Sequence, residues 1–228
     1  RRAAVVVPTA WVRIHLLDFD HLPRRSSELT EVVRWRLKKL LPVAPSELRI
    51  ALVPIHAGGS HQVLCVSGLE RSFADLEAAF AGVDVEPGLI TPRLFALARR
   101  ARSSGGPQLV VQHEAGFLSL LLTVEGRPRL LRTKPLPPTE EAWALTLHEL
   151  HLALSYIRDT LEIGSELEVT TSADSDAVEE SLQQWWSEQE GVRGDLESLP
   201  PCSAMEGGEL EVSRLRLALS VLQDGERE

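Results

Sequence analysis

The sequence predicts an α/β protein in two parts, an α+β segment over residues 1–104 and a strand-rich half over residues 105–228. Three observations carry this reading. The opening residues form two strand-like runs leading into an amphipathic helix that a proline closes. Ser103-Ser104-Gly105-Gly106-Pro107 has the clearest linker composition in the chain. Beyond it, three strand-like runs precede the strongest helical periodicity in the sequence.

The elements follow in order. Val5-Val6-Val7-Pro8 is a short apolar run and Thr9-Ala10 a turn, after which Trp11, Val12, Ile14, Leu16 and Leu17 alternate with Arg13, His15 and Asp18. Together these predict two antiparallel strands. The chain passes through His21-Leu22-Pro23 to Ser26 and Ser27, either of which can cap a helix. Glu28 and Glu31 in the first turn, and Arg36, Lys38 and Lys39 in the last, match the helix dipole at both ends. Leu29, Val33, Leu37, Leu40 and Leu41 make one apolar stripe, and Pro42 stops the helix. Residues 49–55 and 62–68 read as a hairpin around Ala57-Gly58-Gly59-Ser60. A helix begins near Ser72, with Phe73, Leu76 and Phe80 on one face, and ends at Gly82 in the left-handed position that glycine relieves. Residues 83–86 then read as a short strand, and Thr91-Pro92 opens a further helix with Leu94, Phe95, Leu97 and Ala98 as its apolar face.

In the second half, residues 108–112, 117–124 and 129–134 are the three strand-like runs, the last two joined by a Glu125-Gly126 turn. Trp143, Leu147, Leu150, Leu154, Ile157 and Leu161 recur at alternating spacings of four and three, with His148, His151, Ser155, Arg158 and Glu162 on the other surfaces. The pattern stops at Gly164, which favours a core helix over a coiled-coil seam and leaves dimerisation through it open. A strand at 166–171, a helix at 176–188 and a terminal helix at 212–222 complete the half.

Composition narrows the function classes. The chain of 228 residues, 43% hydrophobic and 25% charged, is long enough to bury a substantial core. Its 24 basic against 33 acidic residues leave a net charge of −9, which repels phosphate backbones and argues against nucleic acid as a partner. Cys65 and Cys202 match no metal or redox spacing and read as a buried thiol and a loop thiol. No apolar run is long enough to span a membrane. The chain opens at Arg1-Arg2 without a methionine and is read as an internal fragment of a longer parent.

Motifs for catalysis lose to plainer readings. His148-Glu149-Leu150-His151 places its histidines three apart rather than four, so a solvated histidine face explains it better than zinc. The glycines at 105 and 106 are followed by a strand without Lys-Ser or Lys-Thr, so they make a linker and not a phosphate loop. No Gly-x-Ser-x-Gly elbow occurs. Of Trp185 and Trp186, adjacent on a helix, one is expected in the core and the other partly exposed.

The opening elements resemble the PilM family, the actin-like cytoplasmic proteins of type IV pilus assembly. In that family a strand pair ending near Leu-Pro leads to a helix with a Glu-rich start, an aromatic in its middle and a Pro-hydrophobic exit. Leu22-Pro23, Glu28 and Glu31, Trp35, and Pro42-Val43 hold those positions here. The resemblance continues more loosely to the end of the chain, and the related cytoplasmic domain of the type II secretion L-type protein is the second candidate. The resemblance implies a partial actin-like fold of the ATPase superfamily. Residues 1–104 would be its inserted α+β subdomain and residues 105–228 one ribonuclease-H-like half.

Actin-like proteins hold ATP between glycine-containing turns with acidic residues that position the metal, so the resemblance raises nucleotide binding. The second phosphate turn of the family reads approximately Asp-Ile-Gly, whereas this chain has Gln112-His113-Glu114-Ala115-Gly116, with glutamine at the acidic position and the glycine displaced. At the adenine turn the family's glycines are replaced by Thr170-Thr171-Ser172-Ala173-Asp174, and the first phosphate turn would lie upstream of Arg1. The expectation is therefore no ATP, no metal and no enzymatic activity. Glu114 is the residue that would hold a metal if that expectation fails, and a nucleotide-dependent enzyme of the actin and sugar-kinase superfamily is the rival class.

What the resemblance then implies is a cytoplasmic scaffold at the inner membrane. Its partner would be a PilN-like membrane-spanning protein, bound through that protein's N-terminal cytoplasmic peptide. Trp35, Arg34, Lys38 and Lys39 are the candidate contacts, an aromatic flanked by cations that suits apolar packing with carboxylate pairing. The bland alternative is that Trp35 covers the adjacent sheet while the cations complement the helix end.

Overall fold

Alternating apolar residues build β2 (Val12–Phe19) as expected, but the preceding run, β1 (Arg2–Val7), does not pair with it. Pro8 holds φ at −53° and a 3-10 turn, Thr9–Trp11, follows directly, so the chain leaves one sheet and enters another. β1 runs parallel to β5 (Glu86–Pro92). β2 instead flanks an antiparallel sheet ordered β2-β4-β3, with β3 (Leu48–Ala57) and β4 (Ser60–Leu69). The expected hairpin of the first two strands is thus corrected. The structure is a computed structural model that describes residues 1–57, 60–100, 106–114, 116–161 and 166–194. These form two units, residues 1–93 and 94–194. Packing divides the chain at Arg93/Leu94, ahead of the 103–107 segment, of which 103–105 lie outside the described residues.

In the first unit, α1 (Ser26–Leu40) covers the three-stranded sheet. Leu29, Val33 and Leu37 meet Leu17, Leu48, Val63 and Cys65, and Val33, Leu37, Val63 and Cys65 are fully buried. Burial pushes the Cys65 thiol up to about 12, so it packs as a small apolar group rather than reacting as a nucleophile. Arg25, not a serine, occupies the N-cap, and Leu41 rather than Leu40 turns inward because the C-cap backbone is extended (φ −118°, ψ 142°). Leu40 is left exposed.

α2 (Glu70–Ala81) buries Phe73, and a Cβ on Gly68 would lie 2.6 Å from Phe73 Cε2, so β4 passes the ring only as glycine. Gly82 is right-handed (φ −62°), and the left-handed residue after this helix is Asp84 (φ 56°). The strand expected at 83–86 begins only at Glu86, as β5, and Val83 and Asp84 belong to this turn. Thr91-Pro92 closes β5 instead of opening a helix, and α3 (Arg93–Arg100) follows at once.

Arg49 of β3 ties the sheet to α2. Its Nε and Nη2 donate to Glu70 at 3.0 and 2.5 Å, its Nη1 and Nη2 donate to Glu77, and its guanidinium lies 5.4 Å over the Phe73 ring. Hydrogen bonding to Arg49 holds both carboxyls below the ordinary 4.5. A folded value below the unfolded one means that this support is present above 4.5 and is lost as pH falls through the lowered value. Acidification through that window is expected to speed amide exchange across α2, after correction for intrinsic rates. An Arg49→Met variant should exchange fast there already at neutral pH.

The second unit is a five-stranded sheet ordered β10-β9-β6-β7-β8. β6 (Gln108–Glu114), β7 (Phe117–Val124) and β8 (Arg127–Pro135) form the expected antiparallel meander. Glu125 and Gly126, with φ of 52° and 74°, make the two-residue turn whose twist suits a hairpin. β9 (Leu167–Ala173) runs parallel to β6, and β10 (Val192–Gly194) runs parallel to β9. The parallel strands require crossovers, supplied by α4 (Glu141–Ser155) and α5 (Asp176–Ser187). α4 buries Leu150, Ala153 and Leu154, then widens into a π-helical turn, Tyr156–Thr160, that buries Ile157. Ser175 caps α5 by accepting from the Val178 N–H at 3.4 Å. Trp185 and Trp186 are both buried, which corrects the expectation of one exposed ring. They meet edge-on with centroids 4.6 Å apart, and His151 of α4 covers Trp185 at 5.1 Å. The expected terminal helix and Cys202 lie outside the described residues.

Candidate functional site

Helical periodicity places Trp35 opposite the buried stripe of α1, where it is 59% exposed beside the partly exposed Val32. Lys39, one turn on, sets its Nζ 3.8 Å from the Trp35 ring centroid, a cation–π contact worth about 0.5–1 kcal/mol at an exposed site. Lys38 is exposed as well. Trp35 therefore does not cover the sheet, and with Val32, Lys38 and Lys39 it forms an outward face that is apolar at its centre and cationic at one end.

Arg34, grouped with these residues by sequence, is half-buried and donates from Nη1 to the Pro45 carbonyl at 2.7 Å, which ties the segment after the helix back onto it. Arg36, read from sequence only as a helix-end charge, donates to the Asp18 carbonyl at 2.5 Å and stacks 4.1 Å over Phe19. Both cations serve the framework that presents Trp35.

The second candidate place is the end of β6. Gln112 is 1% exposed and its Nε2 donates to Glu114 Oε2 at 2.8 Å, so a neutral amide engages the carboxylate nearest the expected phosphate turn. Gly116 has φ of 75°, and its carbonyl accepts from the Leu136 N–H at 2.7 Å. The strand expected at 166–171 runs on through Ser172 and Ala173, so that Thr170, Thr171, Ser172 and Ala173, the residues at the adenine turn of the resemblance, are in register with Val110, Val111, Gln112 and His113. The turn is only Asp174-Ser175, and Ser175 is the cap of α5. Burial lowers the His113 pKa, partly opposed by Asp174, so the ring at this sheet end is neutral near pH 7.

Among the described residues, no group of three or more His, Cys, Asp or Glu stands where it could hold a metal ion. His148 is exposed on α4, and His151, also exposed, lies against the Trp185 ring. Glu149 between them is buried and accepts from Arg132 Nη1 at 2.9 Å, with Lys134 Nζ at 3.4 Å. In the sequence Glu149 reads only as the middle of a His-x-x-His spacing that does not suit zinc. The signal for its ion pairs is a pair of cations two apart on β8, a strand whose Leu130 packs against the same core as α4.

The architecture is similar to that of several solved structures. A PilM–PilN type IV pilus biogenesis complex superposes with a TM-score of 0.59 at 18% identity, over 97% of this chain and 80% of that one. The cytoplasmic domain of EpsL, an inner-membrane component of the type II secretion system of Vibrio cholerae, gives 0.51 at 9% identity, over 100% and 79%. A Bacteroides thetaiotaomicron protein with an actin-like ATPase fold and unknown function gives 0.50 at 9% identity, over 85% and 67%. No protein-family model and no curated protein matches the sequence. The chain has an actin-like fold of the kind found in PilM and EpsL.

Proposed function

We propose that this chain is an actin-like scaffold of a type IV pilus inner-membrane assembly complex. In this reading it is cytoplasmic, peripheral to the membrane, and captures the cytoplasmic peptide of a PilN-like membrane-spanning partner. The observation that carries the reading is the outer face of α1, where an indole 59% exposed sits under a lysine ammonium on an otherwise acidic protein. Exposed aromatic anchors of this kind supply a large share of binding energy when a partner buries them, and the adjacent cations suit a peptide bearing carboxylates. Likeness to PilM in a complex with PilN supports the same class of partner. Among the described residues, no helix is long and apolar enough to cross a membrane.

The proposal includes no ATPase chemistry. A glutamine at the acidic position, its amide spent on Glu114, and a continuous strand where glycines would admit adenine both support that reading. Mg-ATP is accordingly expected to leave the Tm unchanged in a thermal shift, and a rise would favour the nucleotide-dependent enzyme instead.

Pull-down from solubilised native membranes tests the scaffold. A single-span membrane protein is expected with the native chain, and Trp35→Ala should reduce its recovery by about tenfold, as for loss of an aromatic anchor. Equal recovery with the variant would overturn the site. A second reading, the cytoplasmic domain of a type II secretion L-type protein, is favoured by the likeness to EpsL along the whole chain. Capture of secretion rather than pilus components would select it.

A further inference from the structure

β8 is an edge strand: among the described residues it pairs with β7 and with no other strand. It reads Arg-Pro-Arg-Leu-Leu-Arg-Thr-Lys-Pro, four cations in nine residues on a chain of net charge −9. Glu149 engages Arg132 and Lys134, whose side chains stay 37% and 43% exposed. Arg127 and Arg129 are exposed, and neither has an ion-pair partner among the described residues. One carboxylate against four cations leaves the strand strongly positive.

Charge, prolines and a bulge are devices that keep sheet edges from self-pairing, and β8 has all three, the bulge falling where Leu122 and Thr123 meet Leu130 and Pro128. Those devices act selectively. Two copies of β8 brought edge to edge would set cations against cations, which disfavours this chain as its own partner. An extended segment carrying carboxylates meets the opposite situation, since alternate acids can stand across from Arg132 and Lys134, with Arg127 and Arg129 at the near end, while the backbone completes the ladder. Pro128 and Pro135 have no N–H to donate, so the stretch that can pair is Arg129 to Lys134.

We propose that the free edge of β8 is a docking site for an extended acidic segment of a partner protein, added as a sixth strand to the sheet through residues 129–134 and selected by Arg127, Arg129, Arg132 and Lys134. The surface lies on a different unit from the Trp35 face, so the two can be tested apart.

The test uses the full chain and a short capped peptide of alternating glutamate and valine, with the lysine–valine peptide as control. Calorimetric titration at low and high salt measures affinity, and hydrogen exchange with and without peptide maps it. The acidic peptide should bind, weaken with salt and slow exchange at residues 129–134, while the lysine peptide should not bind. Arg127→Glu with Arg129→Glu should weaken binding by about tenfold or more, and Lys38→Ala with Lys39→Ala should leave it unchanged. Exchange protection elsewhere, equal binding of the lysine peptide, indifference to the β8 reversal, or loss on changing Lys38 and Lys39 would each overturn the proposal. So would a dimer of the free chain in sedimentation that Arg127→Glu and Arg129→Glu change.

Discussion

Trp186→Ala is expected to destabilise the five-stranded unit by about 3–5 kcal/mol, the range for emptying a large aromatic site in a packed core. Trp186 is 1% exposed within the cluster that joins α4, α5 and the sheet, where Leu120, Leu122, Leu150, Val169 and Leu182 surround the core. Truncation would remove the ring and also the edge-on contact that holds Trp185 against it, 4.6 Å away. The site also holds a defect. The indole Nε1 is buried with no hydrogen-bond partner among the described residues, so part of what the ring contributes is already offset by an unpaired donor. Trp186→Phe should therefore retain at least half of the stability that alanine loses, because it keeps most of the apolar volume and removes the orphan N–H. Urea denaturation followed by far-UV circular dichroism measures both variants, and a phenylalanine variant as unstable as the alanine one would refute the assignment.

Leu37→Ala is expected to cost about 2–5 kcal/mol in the first unit, the usual range for a fully buried leucine. Leu37 shares the buried face of α1 with Leu29 and Val33, and together they pack the helix against Leu17, Leu48, Val63 and Cys65 of the sheet. Two residues away, Trp35→Ala should change stability by no more than about 0.5 kcal/mol, since the ring is exposed and meets mainly Lys39. The proposed capture function inverts the pair. Trp35→Ala should lose partner recovery while the fold is kept, whereas Leu37→Ala should lose recovery only as far as α1 comes away from the sheet. Denaturation midpoints measured beside the pull-down separate the two. A Trp35→Ala variant as unstable as Leu37→Ala would make Trp35 a framework residue.

Two places show how local physics was overruled. Phe73, Leu76 and Phe80 announce α2, and the helix is there, but Gly82 after it is right-handed and the left-handed backbone falls on Asp84. A glycine permits the left-handed conformation without requiring it, and the descent into β5 decided where it was needed. Likewise Trp185 and Trp186 cannot share one helical face, yet both are buried, because α4 brings His151 over the ring that would otherwise meet water.

Periodicity and turn chemistry, which act within a few residues, determined most of the elements. The sequence by itself established the β3–β4 hairpin, the meander through Glu125-Gly126, the apolar stripe of α1, the core face of α4, and the neutral glutamine at position 112. For Trp35 the sequence left two readings open, an outward anchor or a cover for the sheet, and its 59% exposure in the fold decides for the first. Only the tertiary structure decided which strands meet. β1 pairs with β5, more than seventy residues away in register, and Glu149 finds its cations on a strand before its own helix. It also separated Arg34, drawn into the framework by the Pro45 carbonyl, from Lys39, left over the Trp35 ring. Both are cations in the second half of α1, five residues apart, and the neighbour that distinguishes them arrives only when distant segments pack.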